Sequence, residues 1–310
     1  MRVCLPVCLF FVALQVQASA WQPAHAIEDA GLERDAVQQP LFVIGLPTPM
    51  LDSAHRAILA RFGSATLDSA VPVHDRESLD GAAVQEARTV IALGRDACAA
   101  MIVVRTGRST LCALIYADAF DALDCGQACE HLEAIVLDQP PERQAAVASH
   151  LFPALGRFGV LRQTPLATAA PGLEARPFDS SRRLSTQLTD LLAIVDAIIV
   201  EPRASIYPPQ SLRTVLLTAY GRDRPIVGYG PDWVRAGALV SAWSSADDVL
   251  GDVEDILRGD GAAGSRAMPR VHPPRRFHVS ENPVVARSLG LRRRLFDVLG
   301  RQFLDEDFLP

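Results

Sequence analysis

Lysine is absent from this sequence, because all 30 residues in its lysine-plus-arginine count are arginine. The absence excludes a Schiff-base lysine and the lysine of a Walker-type phosphate loop. Acidic residues outnumber basic ones, and the formal net charge is -6 at pH 7. Since a surface that binds nucleic acid normally makes its domain net basic, this balance argues against a nucleic-acid partner.

Motifs of several common enzyme classes are also missing. The sequence contains no GxSxG, HExxH or GxxxxGK[ST] segment, which argues against α/β-hydrolase, zincin and phosphate-loop chemistry. Its seven histidines are scattered, and none lies at a recognised ligand spacing from Cys, Asp or Glu. We therefore expect a protein that is not an enzyme and that holds no metal ion and no other cofactor.

Long apolar segments are missing beyond the start of the chain. Arg2 precedes an apolar stretch at 3–14 and a small-x-small site at 18–20, the pattern of a secretory signal peptide over residues 1–20. No later run reaches the roughly 18 apolar residues of a membrane span, so the mature chain is predicted to be soluble and periplasmic. It would begin with a polar leader at 21–40. An uncleaved anchor helix is the alternative.

Export places the remaining cysteines in an oxidising compartment. Cys98, Cys112, Cys125 and Cys129 are even in number, which favours structural disulfides, and three pairings are open. Cys125 and Cys129 are four residues apart and could close a short loop, which would leave Cys98 to pair with Cys112. A metal site is the weaker alternative, because His131 alone does not complete a ligand set, and buried thiols are another.

Short apolar runs, each closed by turn residues, recur along the chain and alternate with segments of helical spacing. The runs are LFVIGL (41–46), TVIALG (89–94), LCALIYA (111–117), AIVLDQ (134–139), FGVLRQ (158–163), LEARPFD (173–179), AIIVEP (197–202) and PIVGYG (225–230). The helical segments cover 51–62, 143–155, 181–194 and 211–220. Continuous apolar runs are typical of strands buried on both faces, so the sequence predicts a doubly wound α/β fold with parallel sheets.

The two prolines of DQPPERQ (138–144) interrupt this alternation, after which a new strand–helix series begins. We therefore expect two Rossmann-like lobes, at 41–137 and 138–237. The final segment, 291–310, has apolar residues near one helical face and is predicted to be an amphipathic tail packed on the body. A membrane-surface helix is the alternative, and it depends on three consecutive arginines.

Candidate ligand-binding residues follow the predicted strands, because open parallel sheets bind ligands outside the carboxyl ends of their strands. The candidates are Thr48, Arg95, Tyr116, Gln139, Thr164, Glu201, Tyr229 and Asp232. This set has hydrogen-bonding, aromatic and charged groups but no nucleophile–base pair, which favours recognition over catalysis. The two tyrosines suit an aromatic or planar ligand, and Arg95 or Arg203 suits a carboxylate. At each position, a helix cap or a turn is the alternative.

Three aspartates, Asp118, Asp121 and Asp124, are spaced three residues apart in DAFDALD. That spacing predicts one acidic face of a helix. The segment lacks the glycine turn of an EF-hand, so a solvated face is favoured over a cation site.

Several longer segments, taken in order, resemble one protein family. They are VIALGRDA (90–97), VLDQPPERQ (136–144), LGRFGVL (155–161), STQLTDLLAIVDAIIVEPRASIY (185–207), PIVGYGPDWVRAGALVSAWSSADDVLGDVEDIL (225–257) and RRFHVSENPVVARSLGL (275–291). Together they are similar to the ABC transporter substrate-binding proteins that include the tryptophan-binding TrpX type. The resemblance covers residues 41–291.

This resemblance implies a type I periplasmic-binding-protein fold with a small-molecule ligand held between two lobes. Part of 238–265 would complete lobe one, part of 270–290 would complete lobe two, and VRAGALVSAW (234–243) would cross between them. Tyr229 would present its ring to the ligand after a tight turn at Gly228 and Gly230. The protein would act as a monomer that delivers an amino-acid-like or aromatic solute to an inner-membrane ABC permease.

Four further points stay open in the sequence. Trp233 is either a core residue or a ligand contact, and Arg235 either pairs with Asp232 or binds a ligand carboxylate. A periplasmic sensing module that signals to a membrane receptor has the same sequence features as a transport protein. An exported α/β enzyme would need a Ser–His pair, for which His150 is the only histidine near a strand series.

Overall fold

The structure is a computed structural model, and it describes residues 40–104, 109–124, 131–163, 171–258 and 271–294. The expected signal peptide and leader lie outside the described residues, except for residue 40. Cys125, Cys129 and Thr164 also lie outside them, as does the C-terminal tail beyond residue 294.

Strands and helices alternate through the described chain. The strands are β1 (Leu41–Ile44), β2 (Val71–Pro72), β3 (Val90–Leu93), β4 (Thr110–Ile115), β5 (Leu132–Val136), β6 (Phe158–Arg162), β7 (Leu173–Pro177), β8 (Ala197–Ile199), β9 (Ile226–Gly228), β10 (Val240–Trp243), β11 (Val271–His272) and β12 (His278–Glu281). The helices are α1 (Thr48–Phe62), α2 (Ser64–Asp68), α3 (Arg76–Asp80), α4 (Ala82–Glu86), α5 (Arg95–Val104), α6 (Ala117–Asp121), α7 (Pro141–Leu151), α8 (Leu184–Leu192), α9 (Leu212–Tyr220), α10 (Pro231–Ala236), α11 (Ala246–Arg258) and α12 (Pro283–Ser288).

The strands form two sheets of six strands each. The first has the order β11-β5-β4-β3-β1-β2, and all of its neighbouring strands are parallel. The second has the order β12-β10-β9-β8-β6-β7 and is parallel except for the antiparallel pair β10–β12. We call the first sheet with its helices lobe one and the second with its helices lobe two. The expected two-lobed α/β fold is confirmed.

Each sheet is buried on both faces, as the continuous apolar runs predicted. In lobe one, neighbouring strands place one row of side chains against α5 and the next row against α1 and α11. The first row is Val43, Ala92, Cys112 and Ala134. The second row is Phe42, Ile91, Leu111 and Ile135. Lobe two has a corresponding pair of cores, one with α7 and α12 and the other with α8 and α9.

The chain passes between the lobes three times. Crossover one (137–140) joins β5 to α7, crossover two (244–245) joins β10 to α11, and crossover three (273–277) joins β11 to β12. Segments 238–265 and 270–290 therefore each contribute to both lobes. The first provides β10 and α11, and the second provides β11 and β12.

Three sequence expectations about local structure were wrong. VRAGALVSAW does not cross between the lobes, because it ends α10 and then forms β10, an interior strand of lobe two. Asp124 does not share a helical face with Asp118, because α6 ends at Asp121. Third, the predicted set of eight strands was incomplete, because it lacked β2, β10, β11 and β12.

One disulfide joins Cys98 of α5 to Cys112 of β4, with 5.7 Å between the two Cα atoms. It fixes a helix to the centre of the first sheet. Among the described residues, none of the helices combines the length and the apolar character needed to cross a membrane.

Candidate ligand cleft

The carboxyl ends of the strands bring two aromatic rings together from opposite lobes. Tyr116 follows β4 of lobe one, and Tyr229 follows β9 of lobe two. Their ring centroids are 6.4 Å apart, and the planes meet at 76°, an edge-to-face arrangement. We call the region around this pair the cleft. The rule that ligands bind outside the carboxyl ends of parallel strands selects the same region.

A β-bulge sets the direction of Tyr116. The pairing of β4 with β5 shifts register between Ala113 and Ile115, and Leu114 between them has a φ of 56°. A bulge turns the following side chains, so it decides which face of the sheet Tyr116 reaches. Tyr116 is 39% exposed. Desolvation of its hydroxyl, with further contributions from Tyr229 and Asp138, raises the pKa of Tyr116 to about 12. The phenol is therefore neutral at physiological pH.

Tyr229 is supported from behind by a buried tryptophan. The Trp233 ring lies 5.5 Å from that of Tyr229, and Trp233 belongs to the core shared with α8 and α9. Trp233 can approach because Gly228 has no side chain. A Cβ at Gly228 would lie only 2.4 Å from the Trp233 Cβ. Gly228 is therefore required for this packing. Gly230 has a φ of -171°, and no atom lies within 4 Å of the position its Cβ would take.

Lobe two also carries a charged cluster at the ends of its strands β6 and β8. Glu201 follows β8 and is buried, with its Oε2 atom 3.1 Å from Arg162 Nε and 3.9 Å from Arg203 Nε. Burial raises the pKa of Glu201, and the two arginines oppose this effect. Glu201 thus holds two guanidinium groups, from the ends of neighbouring strands, in one place.

The two arginines have unused hydrogen-bonding capacity. Their side chains are only 16% and 15% exposed, for Arg162 and Arg203 respectively. The Nε atoms of both are buried without a hydrogen-bond partner, and their Nη atoms make no hydrogen bond to any residue that the structure describes. Two largely buried guanidinium groups with such unpaired donor atoms can bind a carboxylate through charge-assisted hydrogen bonds.

Lobe one contributes two carboxyl groups to the same cleft. Asp138 Oδ2 accepts a hydrogen bond of 2.7 Å from the Ala117 backbone N–H. Burial raises the pKa of Asp138 to about 7, while this hydrogen bond and Arg203 lower it and Asp118 and Glu201 raise it further. Asp118 Oδ2 accepts a hydrogen bond of 3.3 Å from the Ala204 N–H of lobe two. The two lobes therefore touch directly at the cleft.

Of the eight residues selected from the sequence, Tyr116, Glu201 and Tyr229 lie together in this cluster. Gln139 lies in crossover one, where its amide is hydrogen-bonded to Ser244 of crossover two. Arg95 opens α5 at the end of β3, and its exposed side chain lies 3.6 Å from Asp96.

Of the other three candidates, only Asp232 has a described side chain. Asp232 is on the surface of α10 and ion-paired with Arg235, at side-chain exposures of 80% and 73%. Thr48 is the first residue of α1, and its side chain lies outside the described part, as does all of Thr164.

Four residues of the cleft were not among the eight candidates: Arg162, Asp138, Asp118 and Arg203, of which Arg203 was considered for a ligand carboxylate. Arg162 stands within a predicted strand run, and Asp138 stands in the segment interpreted as a lobe boundary. A sequence signal existed for Arg162 and Asp138, since Arg162 is the last residue of β6 and Asp138 directly precedes the candidate Gln139. In the described ranges, no group of three or more His, Cys, Asp or Glu residues could hold a metal ion.

Comparison with known proteins gives no match in sequence. No protein-family model matches the chain. A search of curated proteins finds no match either.

Solved structures do match in fold. A substrate-binding protein with adhesive properties from Clostridium difficile, in its ligand-free, open form, aligns over 83% of this chain and 96% of its own, at 11% identity and a TM-score of 0.56. A domain of an ABC system from Streptococcus pneumoniae, in complex with L-Trp, aligns over 81% of this chain and 94% of its own, at 16% identity and a TM-score of 0.47. The fold assignment rests on the Clostridium protein. This chain therefore shares the two-lobed α/β fold of that substrate-binding protein.

Proposed function

We propose that this chain is an exported solute-binding protein that captures a small organic ligand, amino-acid-like or aromatic, and delivers it to an inner-membrane ABC permease. One observation carries the proposal. Tyr116 and Tyr229 meet from opposite lobes, and Asp138, whose charge acts on Tyr116, also interacts electrostatically with Glu201 and Arg203 of the charged cluster. A ligand between the lobes would contact aromatic and charged groups at once.

The chemistry of the cleft favours a planar ligand with a carboxylate. A flat ring can insert at the edge-to-face pair of tyrosines and keep aromatic contact with both. The Nη atoms of Arg162 and Arg203 would bind the carboxylate, and Glu201 would keep them oriented. Among the described residues, Tyr116, Tyr229 and the cluster of Glu201 with its two arginines form no nucleophile–base pair, which favours binding over turnover.

Binding would be coupled to movement of the lobes. The rings and the bond from Ala204 to Asp118 bridge the lobes at the cleft, and the three crossovers join the lobes covalently. A ligand that contacts both lobes stabilises the closed arrangement by the contacts that only this arrangement allows. A permease would then recognise the closed monomer.

The first test is native mass spectrometry of protein purified from the periplasm, followed by thermal unfolding with tryptophan, indole-3-propionate and tryptamine. All three probes share the indole ring. Tryptophan carries a carboxylate and an ammonium group, indole-3-propionate carries only the carboxylate, and tryptamine carries only the ammonium group. We expect stabilisation by the first two, by a few kcal/mol at concentrations far above Kd. No co-purified small molecule and no stabilisation by any probe would contradict solute capture.

A matched pair of variants locates the site. Arg162 and Arg157 stand at opposite ends of β6, and Arg157 pairs with Asp196 at the edge of the sheet away from the cleft. Arg162→Gln should weaken binding of a carboxylate probe by about 10- to 100-fold, since a charge-assisted hydrogen bond is lost. Arg157→Gln should bind like the wild type. Equal affinities in both variants would place the carboxylate elsewhere.

A further inference from the structure

Hydrogen bonds between side chains and backbone connect all three crossovers to one another. Gln139 Nε2 in crossover one donates to Ser244 Oγ in crossover two at 2.7 Å. Ser244 Oγ in turn donates to the Arg276 carbonyl in crossover three at 2.5 Å. The three segments are far apart in sequence, yet a chain of two hydrogen bonds joins them side by side.

One arginine of lobe two closes this chain into a loop. Arg143, on the first turn of α7, is buried. Its Nη1 donates both to Gln139 Oε1 and, at 2.7 Å, to the Pro274 carbonyl. Its guanidinium carbon also lies 5.0 Å from the centre of the Phe277 ring. Arg143 therefore contacts crossovers one and three directly, and it reaches crossover two through Gln139 and Ser244.

The chemistry of this position requires arginine. Burial lowers the pKa of Arg143 to about 10, with Asp252 opposing the effect, so the group is charged at neutral pH. A planar guanidinium offers several donors in fixed directions while its face packs on an aromatic ring, which a lysine ammonium cannot do.

Crossover three is anchored separately to lobe one. Arg276 Nη1 and Nη2 bind Asp252 and Asp255 of α11 at 2.7 and 2.6 Å, and the Arg275 N–H binds Asp252 at 2.7 Å. Crossover three is thus held by α11 on one side and by Arg143 on the other. A rotation of the lobes must be absorbed between these two anchors.

We propose that Arg143 is the positioning residue of the hinge, and that its contacts make the three crossovers move as one unit when the lobes open and close. The proposal rests on the proposed function, since lobe closure serves a ligand in the cleft. The hinge itself can be measured without ligand, so an experiment can reject the hinge proposal without rejecting the proposed function, and the reverse.

The neighbouring residue provides a matched control. Gln144 is also buried on α7, and its amide makes two hydrogen bonds to the Ala242 backbone, at 2.8 and 2.9 Å. These bonds stay within lobe two, because Ala242 belongs to β10. Arg143→Met and Gln144→Met introduce the same side chain one residue apart, and each removes buried hydrogen bonds to backbone.

The experiment measures amide hydrogen exchange and small-angle X-ray scattering of the ligand-free proteins. In Arg143→Met, we expect exchange to accelerate about tenfold in all three crossovers, including 244–245, which Arg143 does not touch. The distribution of interlobe distances should broaden. In Gln144→Met, crossovers one and three and the scattering should match the wild type.

Two results would overturn the proposal. One is faster exchange in Arg143→Met at 137–140 and 273–277 with 244–245 unchanged. The other is identical scattering from both variants at matched stability. If Arg143→Met does not fold, Arg143→Lys decides instead, since it keeps a positive charge but removes the planar donor group. Faster exchange at 244–245 would then support the proposal, and unchanged exchange there would contradict it.

Discussion

Gly228 shows how a single residue without a side chain can shape a site. A Cβ at this position would come within 2.4 Å of the Trp233 Cβ and within 3.4 Å of the Ala238 Cβ. Trp233 in turn supports the Tyr229 ring. The absence of a side chain at Gly228 therefore sets the position of an aromatic ring in the cleft.

We predict that Gly228→Ala destabilises the protein by about 1–3 kcal/mol, because the added methyl overpacks a closed core. Urea unfolding measures this change. Gly230→Ala is the control, since its backbone is extended and nothing lies near the new methyl. It should change stability by less than about 1 kcal/mol, since the less flexible unfolded chain offsets the loss of a glycine at the N-cap of α10, where alanine is the poorer residue. Equal effects of the two substitutions would contradict the packing argument.

The cleft could be predicted from the sequence only as a rule about strand ends. That rule found Tyr116, Glu201 and Tyr229, because each directly follows an apolar run. It also selected Gln139, which binds Ser244 in the hinge, because sequence does not show which of two neighbouring residues turns toward the cleft. Asp138, one residue earlier, is the one whose carboxyl lies near Arg203 and Glu201.

At the scale of elements, the apolar runs predicted the strands that are buried on both faces. The helices expected at 51–62 and 211–220 correspond to α1 and α9 within a few residues. The strands that were missed are short, and their identity depends on partners distant in sequence. β10 is recognisable as a strand through its pairing with β9 and β12, which no local pattern encodes.

The bond between Cys98 and Cys112 ties α5 to β4 across 14 residues of chain. A disulfide that closes a loop of this length lowers the entropy of the unfolded chain, which stabilises the folded state by about 3 kcal/mol. We predict that Cys98→Ala with Cys112→Ala lowers the free energy of unfolding by about that amount. Guanidinium denaturation of the oxidised proteins measures it.

A thiol count checks the same bond directly. Labelling of the denatured, unreduced wild type should modify neither Cys98 nor Cys112, as read by peptide mass spectrometry. Labelling of both, together with a double variant as stable as the wild type, would show that the two thiols are free and merely adjacent.

At the scale of the whole molecule, Asp138 links stability to pH. It lies in crossover one. Its carboxyl group interacts electrostatically with Asp118 of lobe one and with Glu201 and Arg203 of lobe two. Its pKa is about 7 in the folded protein and near 4 in an unfolded chain. Between these values the folded state binds more protons, so its stability falls as pH rises.

The Asp138→Asn variant should therefore lose this pH dependence. Asparagine is uncharged, and its Oδ1 can still accept the hydrogen bond from the Ala117 N–H. A pKa difference from about 4 to about 7 corresponds to at most about 4 kcal/mol, and partial exposure reduces the expected effect to about 2 kcal/mol. The variant should be more stable than the wild type by that amount at pH 8 and nearly equal to it at pH 4.

Urea unfolding at both pH values measures the difference, with Asp121→Asn as the control, because Asp121 is an exposed aspartate at the end of α6. The control should follow the wild type at both pH values. If Asp138→Asn also follows the wild type, its carboxyl is solvated and the lobes do not enclose it. If the variant gains stability at pH 8, the ionised carboxyl opposes the packed arrangement. A ligand carboxylate entering the same cleft would then meet less repulsion from a protonated Asp138, so its affinity should rise as pH falls through 7.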